Sequence, residues 1–375
     1  MAGYLFTFSS EDDMKRCIHE RSYSTLMSPR WSTAAASTLG DYVTMRPGDS
    51  VYFFSKRKVY GIGKIVEVGD GRCVTENFPG ATSRRAVCWD KVSDKAIRKA
   101  AGADGKICRW IIAFDPDPCF FEKGIDMDDL LSSNPSAFRS LRVFWNRSFI
   151  KLDDEENAAF KTTLLRANLV ELNDRREEVI GSCDREALSR GNEPDIQTLL
   201  ASSRNADGSL RDEMLLEVGL LHQLRIENQA TSRMFGKWNY LSHQVNASPF
   251  KPIQYMDRID VFGYRYIEDY EPIIEKYLVI ELKKDSSGPG DIPQVMKYVD
   301  WVCKEYAHND YSLIQAFLVA HSFEKDSLSA NGMRRDYTAG YRPAEARTWQ
   351  QLALVTYNVN PRGLIEFSRL EKTGS

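Results

Sequence analysis

Residues 277–284 read YLVIELKK, an apolar strand that ends in charge. Leu278, Val279 and Ile280 form a buried strand core with β-branched residues. Side chains alternate along a strand, so Glu281 and Lys283 share one face and Leu282 takes the other. A carboxylate carried this close to a core is costly unless a partner or a metal neutralises it. The segment therefore demands a fold in which a buried strand delivers an acid and a base to one place. Such a pair suits a cation and a water: the carboxylate ligates Mg2+, and the lysine meets the water or a phosphate. A solvated Glu/Lys pair on an edge strand is the other reading.

Further carboxylates stand in matching contexts. Residues 213–229, EMLLEVGLLHQLRIENQ, have helical periodicity, with Glu213, Glu217, Leu220, Leu221 and Leu224 on one face. Glu217 is then either set in an apolar stripe or placed at its edge and reaching solvent. In RIDVFG at 258–263, Asp260 stands between Ile259 and Val261, where a buried strand favours an aliphatic residue. After the loop DSSGPGD, the run IPQVMKYVDWVCKEY reads as a helix, with Asp291 as cap and Pro293 in its first turn. Gln294, Lys297, Tyr298 and Trp301 recur along it at helical spacing. SLIQAFLVAH at 312–321 and QLALVTYNV at 351–359 supply further buried strands. The stretch 243–254, HQVNASPFKPIQ, reads as a surface loop, with substrate contacts as the alternative.

The order is Glu on a helix, Asp on a strand, Glu-x-Lys on a strand, Gln and Tyr on a helix, then strands. This resembles the PD-(D/E)XK nuclease superfamily, above all its NucS-type endonuclease branch. There R-[IV]-D precedes V-x-E-[IL]-K, followed by Q-x-x-x-Y. Here those pieces stand as RID at 258–260, VIELK at 279–283 and QVMKY at 294–298, and the likeness spans about 213–360. The resemblance implies a restriction-endonuclease-like α/β core that hydrolyses phosphodiesters with Mg2+ or Mn2+. Asp260 and Glu281 would be metal ligands, joined by the Leu282 carbonyl and by Glu217, or by Glu213 in its stead. Lys283 would orient or deprotonate water. Gln294 would hold the site or touch the DNA backbone, with Tyr298 in support. One shared cation requires Asp260 and Glu281 on the same face and within about 7 Å. The sequence departs from the branch in one respect: Asp260 and Glu281 are 21 residues apart, with YRYIEDYEPIIEK between them. That acidic hairpin tip reads as an oligomer contact or a substrate gate, and mismatch specificity is not carried over.

The amino-terminal part is mostly β in character. Strands are expected at 4–8, 51–56, 59–68, 86–92 and 109–115, a short helix at 12–20 and a turn at Pro47–Gly48. Gly61 and Gly63 inside a strand indicate a bulge or a close approach. The stretch RPGDSVYFFSKRKVYGIGKIVEVG resembles PUA-like domains, particularly the EVE type, which form a small pseudobarrel and in several cases hold a nucleobase. A base pocket needs aromatic faces and polar edge contacts. Tyr23, Trp31 and Trp89 are candidate walls, Ser32 and Thr33 edge contacts, and Arg30, Lys56, Arg57 and Lys58 phosphate contacts. Tyr52, Phe53, Phe54 and Trp110 read as barrel core.

The chain thus reads as an α+β protein of two domains: a PUA-like β pseudobarrel reader at 1–130, a helical connector and linker at 131–210, and a PD-(D/E)XK nuclease domain at 211–375. A length of 375 residues suits two domains. Fifty Lys and Arg against 53 Asp and Glu leave a charge of −3, which argues against a whole-surface polyanion binder. A local basic groove remains compatible, with Lys283, Lys284 and Lys297 as its candidates. Seven scattered cysteines without CxxC, and five histidines without HxH or HxxxH, point away from disulfides and zinc and toward a reducing cytoplasm. No run of 18 apolar residues occurs, so no membrane association is expected. MAGYLFTFSSEDD lacks the basic-then-apolar pattern of a signal peptide. The expected function is a Mg2+-dependent DNA endonuclease whose amino-terminal domain reads a base, modified or not, in restriction or anti-phage defence. The alternatives are an RNA-directed or ligand-gated nuclease, similar in outline to the Shedu group, and a catalytically silent nucleic-acid-binding sensor. One site cuts one strand, so double-strand cutting needs a homodimer or two nicks. The helix at 294–306, with Trp301 and Val302, is the candidate dimer face.

Overall fold

The computed structural model describes residues 1–19, 21–26, 33–66, 73–75, 86–87, 108–116, 123–138, 149–170, 195–248, 257–325, 327, 332–339 and 344–370. The chain divides into two compact units, Met1–Asp195 and Ile196–Ser375.

The first unit runs β1 (Gly3–Thr7), α1 (Glu11–His19), β2 (Ser22–Leu26), α2 (Thr33–Thr44), β3 (Ser50–Ser55), β4 (Lys58–Ile65), β5 (Cys73–Thr75), β6 (Ala86–Val87), β7 (Cys108–Pro116), β8 (Ile125–Asp126), α3 (Met127–Ser133), β9 (Phe149–Leu152) and α4 (Asp154–Ala167). Its strands form one sheet curled into a half-barrel, in the order β6-β5-β7-β4-β3-β1-β9, with β2 also on β7 and β8 on β4. Local sequence explains the curl. Lys56 and Arg57 both take positive φ, 49° and 65°, the tight hairpin turn whose twist matches the flanking strands. Val51 pairs with Gly63 but Phe53 with Tyr60, so Tyr52 lies opposite both Gly61 and Ile62. Gly61, at φ 43°, makes this the bulge expected from the sequence, and a bulge bends its strand.

Aromatic rings fill one side of this sheet: Phe6 stacks on Tyr23 at 4.6 Å and meets Phe149 at 5.3 Å. Leu5, Tyr52, Ile62, Leu130, Phe160 and Leu164 form a second apolar cluster. Within the region expected as a helical connector, 131–210, a helix is present as α4, held at its start by the reciprocal Asp153 and Glu156 capping bonds. It does not belong to a separate connector. Phe160 and Leu164 are buried in the first unit's core, and β9 pairs with β1. The first unit therefore extends past 130.

The second unit runs α5 (Ile196–Ser203), α6 (Glu213–Arg225), α7 (Gln229–Phe235), β10 (Tyr240–Asn246), β11 (Arg258–Tyr266), β12 (Ile274–Ser287), α8 (Ile292–Glu305), β13 (Ile314–Phe323), β14 (Arg335–Ala339), β15 (Glu345–Trp349), β16 (Leu352–Val359) and β17 (Ile365–Arg369). Six strands form a mixed sheet in the order β10-β11-β12-β13-β16-β17, and β14 and β15 make a separate hairpin. β10, β11 and β12 are antiparallel, β12, β13 and β16 parallel, and β17 antiparallel again. The apolar run of β12 is its centre: Leu278, Val279, Ile280 and Leu282 are fully buried. Burial of such side chains stabilises by roughly 1.5–3 kcal/mol each.

Helices cover both faces of this sheet. Phe235 of α7 packs on Phe317 and Phe367, on the face that carries Ile280. The Tyr277 hydroxyl donates to the carbonyl of Tyr306 at the end of α8, on the face that carries Glu281. The region expected as connector and linker, 131–210, also supplies a helix of the second unit, α5. Leu199 and Leu200 of α5 are buried, and Gly219 of α6 lies so close to Leu200 that a Cβ there would meet it at 2.7 Å. At the outer edge of β17 the Gln223 side chain donates to the Ile365 carbonyl at 3.0 Å and accepts the Ile365 N–H at 2.9 Å. No helix among the described residues is long and apolar enough to cross a membrane.

Candidate active site

Three strands and one helix converge on the carboxylates of the second unit. Val261 pairs with Ile280 and Phe262 with Val279, so one step further Asp260 comes opposite Glu281. Opposed side chains of an antiparallel pair share a face, with Cβ atoms roughly 5 Å apart. On the other side, His243 pairs with Val261 and Val245 with Ile259, while the Gln244–Asp260 pair between them is missing from the ladder. Gln244 has φ 51°. That left-handed conformation costs a non-glycine residue on the order of 1 kcal/mol, and it interrupts the alternation of side chains. As a result both His243 and Gln244 reach Glu217 on α6. His243 Nδ1 bonds Glu217 Oε1, and Gln244 Nε2 donates to Glu217 Oε2 at 2.9 Å. The same Nε2 donates to Asp260 Oδ1 at 3.0 Å.

The backbone and β12 complete the cluster. The Leu282 N–H donates to Asp260 Oδ2 at 2.8 Å, and Lys283 Nζ donates to Glu281 Oε1 at 2.7 Å. β12 slips in register against β13 between Lys283 and Ser286, and within that slip the Lys284 N–H donates to Glu213 Oε2 at 3.1 Å. On α8, Gln294 Nε2 donates to the Tyr298 hydroxyl at 2.9 Å.

Glu217 and Glu281 are each 2% exposed. Burial, together with the charges of Glu281 and Glu217, holds the Asp260 carboxyl well above the usual range against the pull of the Leu282 amide. Burial also raises Glu281, outweighing the lowering by Lys283. Burial pulls Lys283 down, but Glu281 with Glu213 and Asp260 more than reverses this, so the ammonium is held more firmly than usual. Burial, aided by the charges of Glu281, Asp260 and Asp257 and opposed by Gln294, pushes Tyr298 up to about 12. The site is thus rich in confined negative charge and poor in cations.

The donor set suits a hard divalent ion, being all carboxylate and main-chain oxygen. Glu281 Oε2 is buried and has no hydrogen-bond partner. Even so, no group of three or more His, Cys, Asp or Glu is already poised around one point among the described residues. The reason is local: Glu217 and Asp260 direct their oxygens at His243, Gln244 and the Leu282 amide. Opening of some of those hydrogen bonds would free carboxylate oxygens of this set for a cation.

Glu217, Asp260, Leu282, Glu281 and Lys283 therefore come together. Leu282 takes part through its N–H, whereas the sequence expectation concerned its carbonyl. Gln294 bonds Tyr298, whose hydroxyl feels the charges of Glu281 and Asp260, and Glu213 joins through the main chain of Lys284. His243 and Gln244, expected in a surface loop, lie on β10, and His243 is 3% exposed. Their signal was β-prone Tyr240, Leu241 and Val245 around them. The lysines expected in a basic groove are engaged with acids: Lys284 with Asp285 at 2.8 Å, and Lys297 with Asp257. Val302, expected on a dimer face, is fully buried in the core of this unit. The hairpin tip between β11 and β12 leaves Ile267, Tyr270 and Ile273 exposed.

In the first unit, the base-pocket expectation is corrected for one of its residues. Tyr23 is 1% exposed, with its ring against Phe6, Phe8 and Phe149 and its hydroxyl donating to the Thr7 carbonyl. It packs as core because β2 turns it inward between aromatic neighbours. Trp31, Ser32, Trp89 and Arg30 lie outside the described residues, and Thr33 begins α2. Lys56 and Arg57 face Glu11 and Asp128 at 3.7 and 2.6 Å.

No family model matches the chain, and no curated protein matches it. Among solved structures, a hypothetical protein from Leishmania major is 18% identical over 47% of this chain and 98% of its own, with a TM-score of 0.27. A protein from Agrobacterium tumefaciens is 12% identical over 43% of this chain and 92% of its own, with a TM-score of 0.26. Likenesses this slight carry no argument about fold or function.

Proposed function

We propose that the second unit is a divalent-cation-dependent phosphodiesterase of the PD-(D/E)XK type, acting on DNA as an endonuclease, and that the first unit is a PUA-like reader of a base. The observation that supports this reading best is the meeting of Asp260, Glu281 and Lys283 across two paired strands, with Glu217 delivered from a helix. Burial disfavours the charge of Asp260 and Glu281, and with the buried Glu217 beside them these acids balance poorly without a cation. Asp260, Glu281 and Glu217 would hold Mg2+ or Mn2+ with the Leu282 main chain. When bound, such an ion supplies charge neutralisation at the phosphodiester and acidifies a water.

The protein's own part follows from its geometry. Lys283 is fixed by Glu281, and its raised pKa keeps it an ammonium. It therefore serves as a fixed positive charge and donor toward the water or a phosphate oxygen, not as the base. Tyr298 and Gln294 brace the α8 side of the site. The water oxygen bonds to phosphorus as the bond from phosphorus to the leaving deoxyribose oxygen breaks; the water's proton passes to Asp260 or Glu281, and the leaving oxygen takes a proton from solvent. Cutting both strands calls for a homodimer or two successive nicks.

The test is incubation of the full chain with unmodified and cytosine-modified plasmid and phage DNA, and with RNA, in Mg2+ or Mn2+. Lys283→Ala and Glu281→Gln serve as controls. Cleavage is expected in the wild type and should fall by about 100-fold or more in either variant. Cleavage of RNA alone would replace the substrate. No cleavage of any nucleic acid in either metal, or cleavage unchanged in both variants, would remove the nuclease reading.

A further inference from the structure

Among the described residues, Gln244 is the one neutral side chain that bridges two of the clustered carboxylates. Its Nε2 carries two hydrogens and spends one on Glu217 Oε2 and the other on Asp260 Oδ1, at 2.9 and 3.0 Å. A nitrogen at hydrogen-bond distance from two acid oxygens stands where a cation shared by them would stand. The residue is held there in a left-handed conformation, at the one position where the β10–β11 ladder lacks its pair. Beside it, Glu281 Oε2 is buried and unpartnered, on a side chain only 3% exposed. The Glu281 and Asp260 carboxyls also lie within hydrogen-bond reach of each other, so three acids are closed on one another and on a single amide, a ligand set closed from within.

We propose that the Gln244 amide is a built-in stand-in for a cation: it holds Glu217 and Asp260 together in the metal-free protein and must withdraw before a divalent ion bridges them, so that it sets the cation affinity of the site. This rests on the reading of the cluster as a cation site. Gln244 competes with the ion and does not ligate it. Its loss therefore tightens binding, whereas loss of a ligand weakens it. The closing feature is the amide's reach. Asparagine tolerates the left-handed conformation better than glutamine does, yet it is one methylene shorter and cannot span both carboxylates.

The experiment is a calorimetric titration of the full chain with Mn2+, for the wild type, Gln244→Asn and Glu281→Gln, with the melting temperature followed with and without metal. The expected result is that Gln244→Asn binds Mn2+ about 10-fold tighter than the wild type, the scale at which groups around a metal site act. Its melting temperature should also rise more on adding metal. Equal affinity in Gln244→Asn and wild type, or weaker binding in the variant, overturns the stand-in role while Mn2+ binding lost in Glu281→Gln leaves the cation site in place. Absence of Mn2+ binding in all three proteins at millimolar metal overturns both the stand-in and the cation site beneath it.

Discussion

Asp260 shows how strongly one residue couples the site to pH. Its carboxyl is held well above the usual range, first by burial and then by Glu281 and Glu217. The folded chain therefore keeps a proton that the unfolded chain has already released. It follows that the metal-free protein loses stability as pH climbs from the ordinary carboxylate range through the raised value. A divalent ion needs the same group ionised, so its binding expels protons and strengthens with pH. Mn2+ affinity should be higher at pH 8 than at pH 6, with proton release visible as a dependence of the binding heat on buffer ionisation enthalpy. Affinity independent of pH, with no protons released, would mean that Asp260 takes no part. The chemistry-bearing residues on regular periodicity, Glu281 and Lys283 above all, were legible in the sequence because strand alternation alone sets their face. Gln244 was not. Its role comes from a left-handed kink, and no periodic pattern marks such a kink at a glutamine.

Turns do as much for the second unit as its strands. Gly363 closes the connection between β16 and β17 with φ 78°, and a Cβ there would lie 1.8 Å from the Gln197 carbonyl oxygen. Backbone cannot yield as a flexible side chain does, so Gly363→Ala combines a strained conformation with a clash. It should destabilise the second unit by about 2–4 kcal/mol, read as a lower denaturant midpoint at unchanged slope. A loss under about 0.5 kcal/mol would mean that the turn and α5 part easily. The same scale explains what sequence reading missed among the elements. β12 carries a long continuous apolar run and α8 a one-sided pattern, and both were readable. β10 is short, carries Ser242, His243 and Gln244 in its middle, and takes its place as a strand from pairing with β11. That pairing is a tertiary fact. α4 was likewise placed in a connector, because helical propensity does not say which core a helix covers, and β9 was not read as a strand at all.

For the whole molecule, two cores were expected and two compact units are present, with the division at Asp195 and Ile196. Charge and turn residues mark where a chain is free to leave a core, and they located the division only coarsely. The helix α5 fills the second unit with Leu199 and Leu200 although its surroundings are rich in Gly, Asn, Asp and Ser. A fragment beginning at Ile196 should therefore melt cooperatively by itself. One beginning at residue 211, which lacks α5, should melt at least several degrees lower by circular dichroism. Equal melting of the two fragments would assign α5 no part in that core.

The grip of Gln223 on Ile365 has a consequence for crowded solutions. The outer strand of a sheet offers unsatisfied N–H and C=O groups that can template a neighbouring molecule. Here a side-chain amide from α6 satisfies both main-chain groups of one residue on that strand, as a partner strand would. The molecule thus carries a one-rung imitation of a strand on its own margin. A second copy must break two hydrogen bonds before it can pair with the strand at that residue, which works against edge-to-edge stacking.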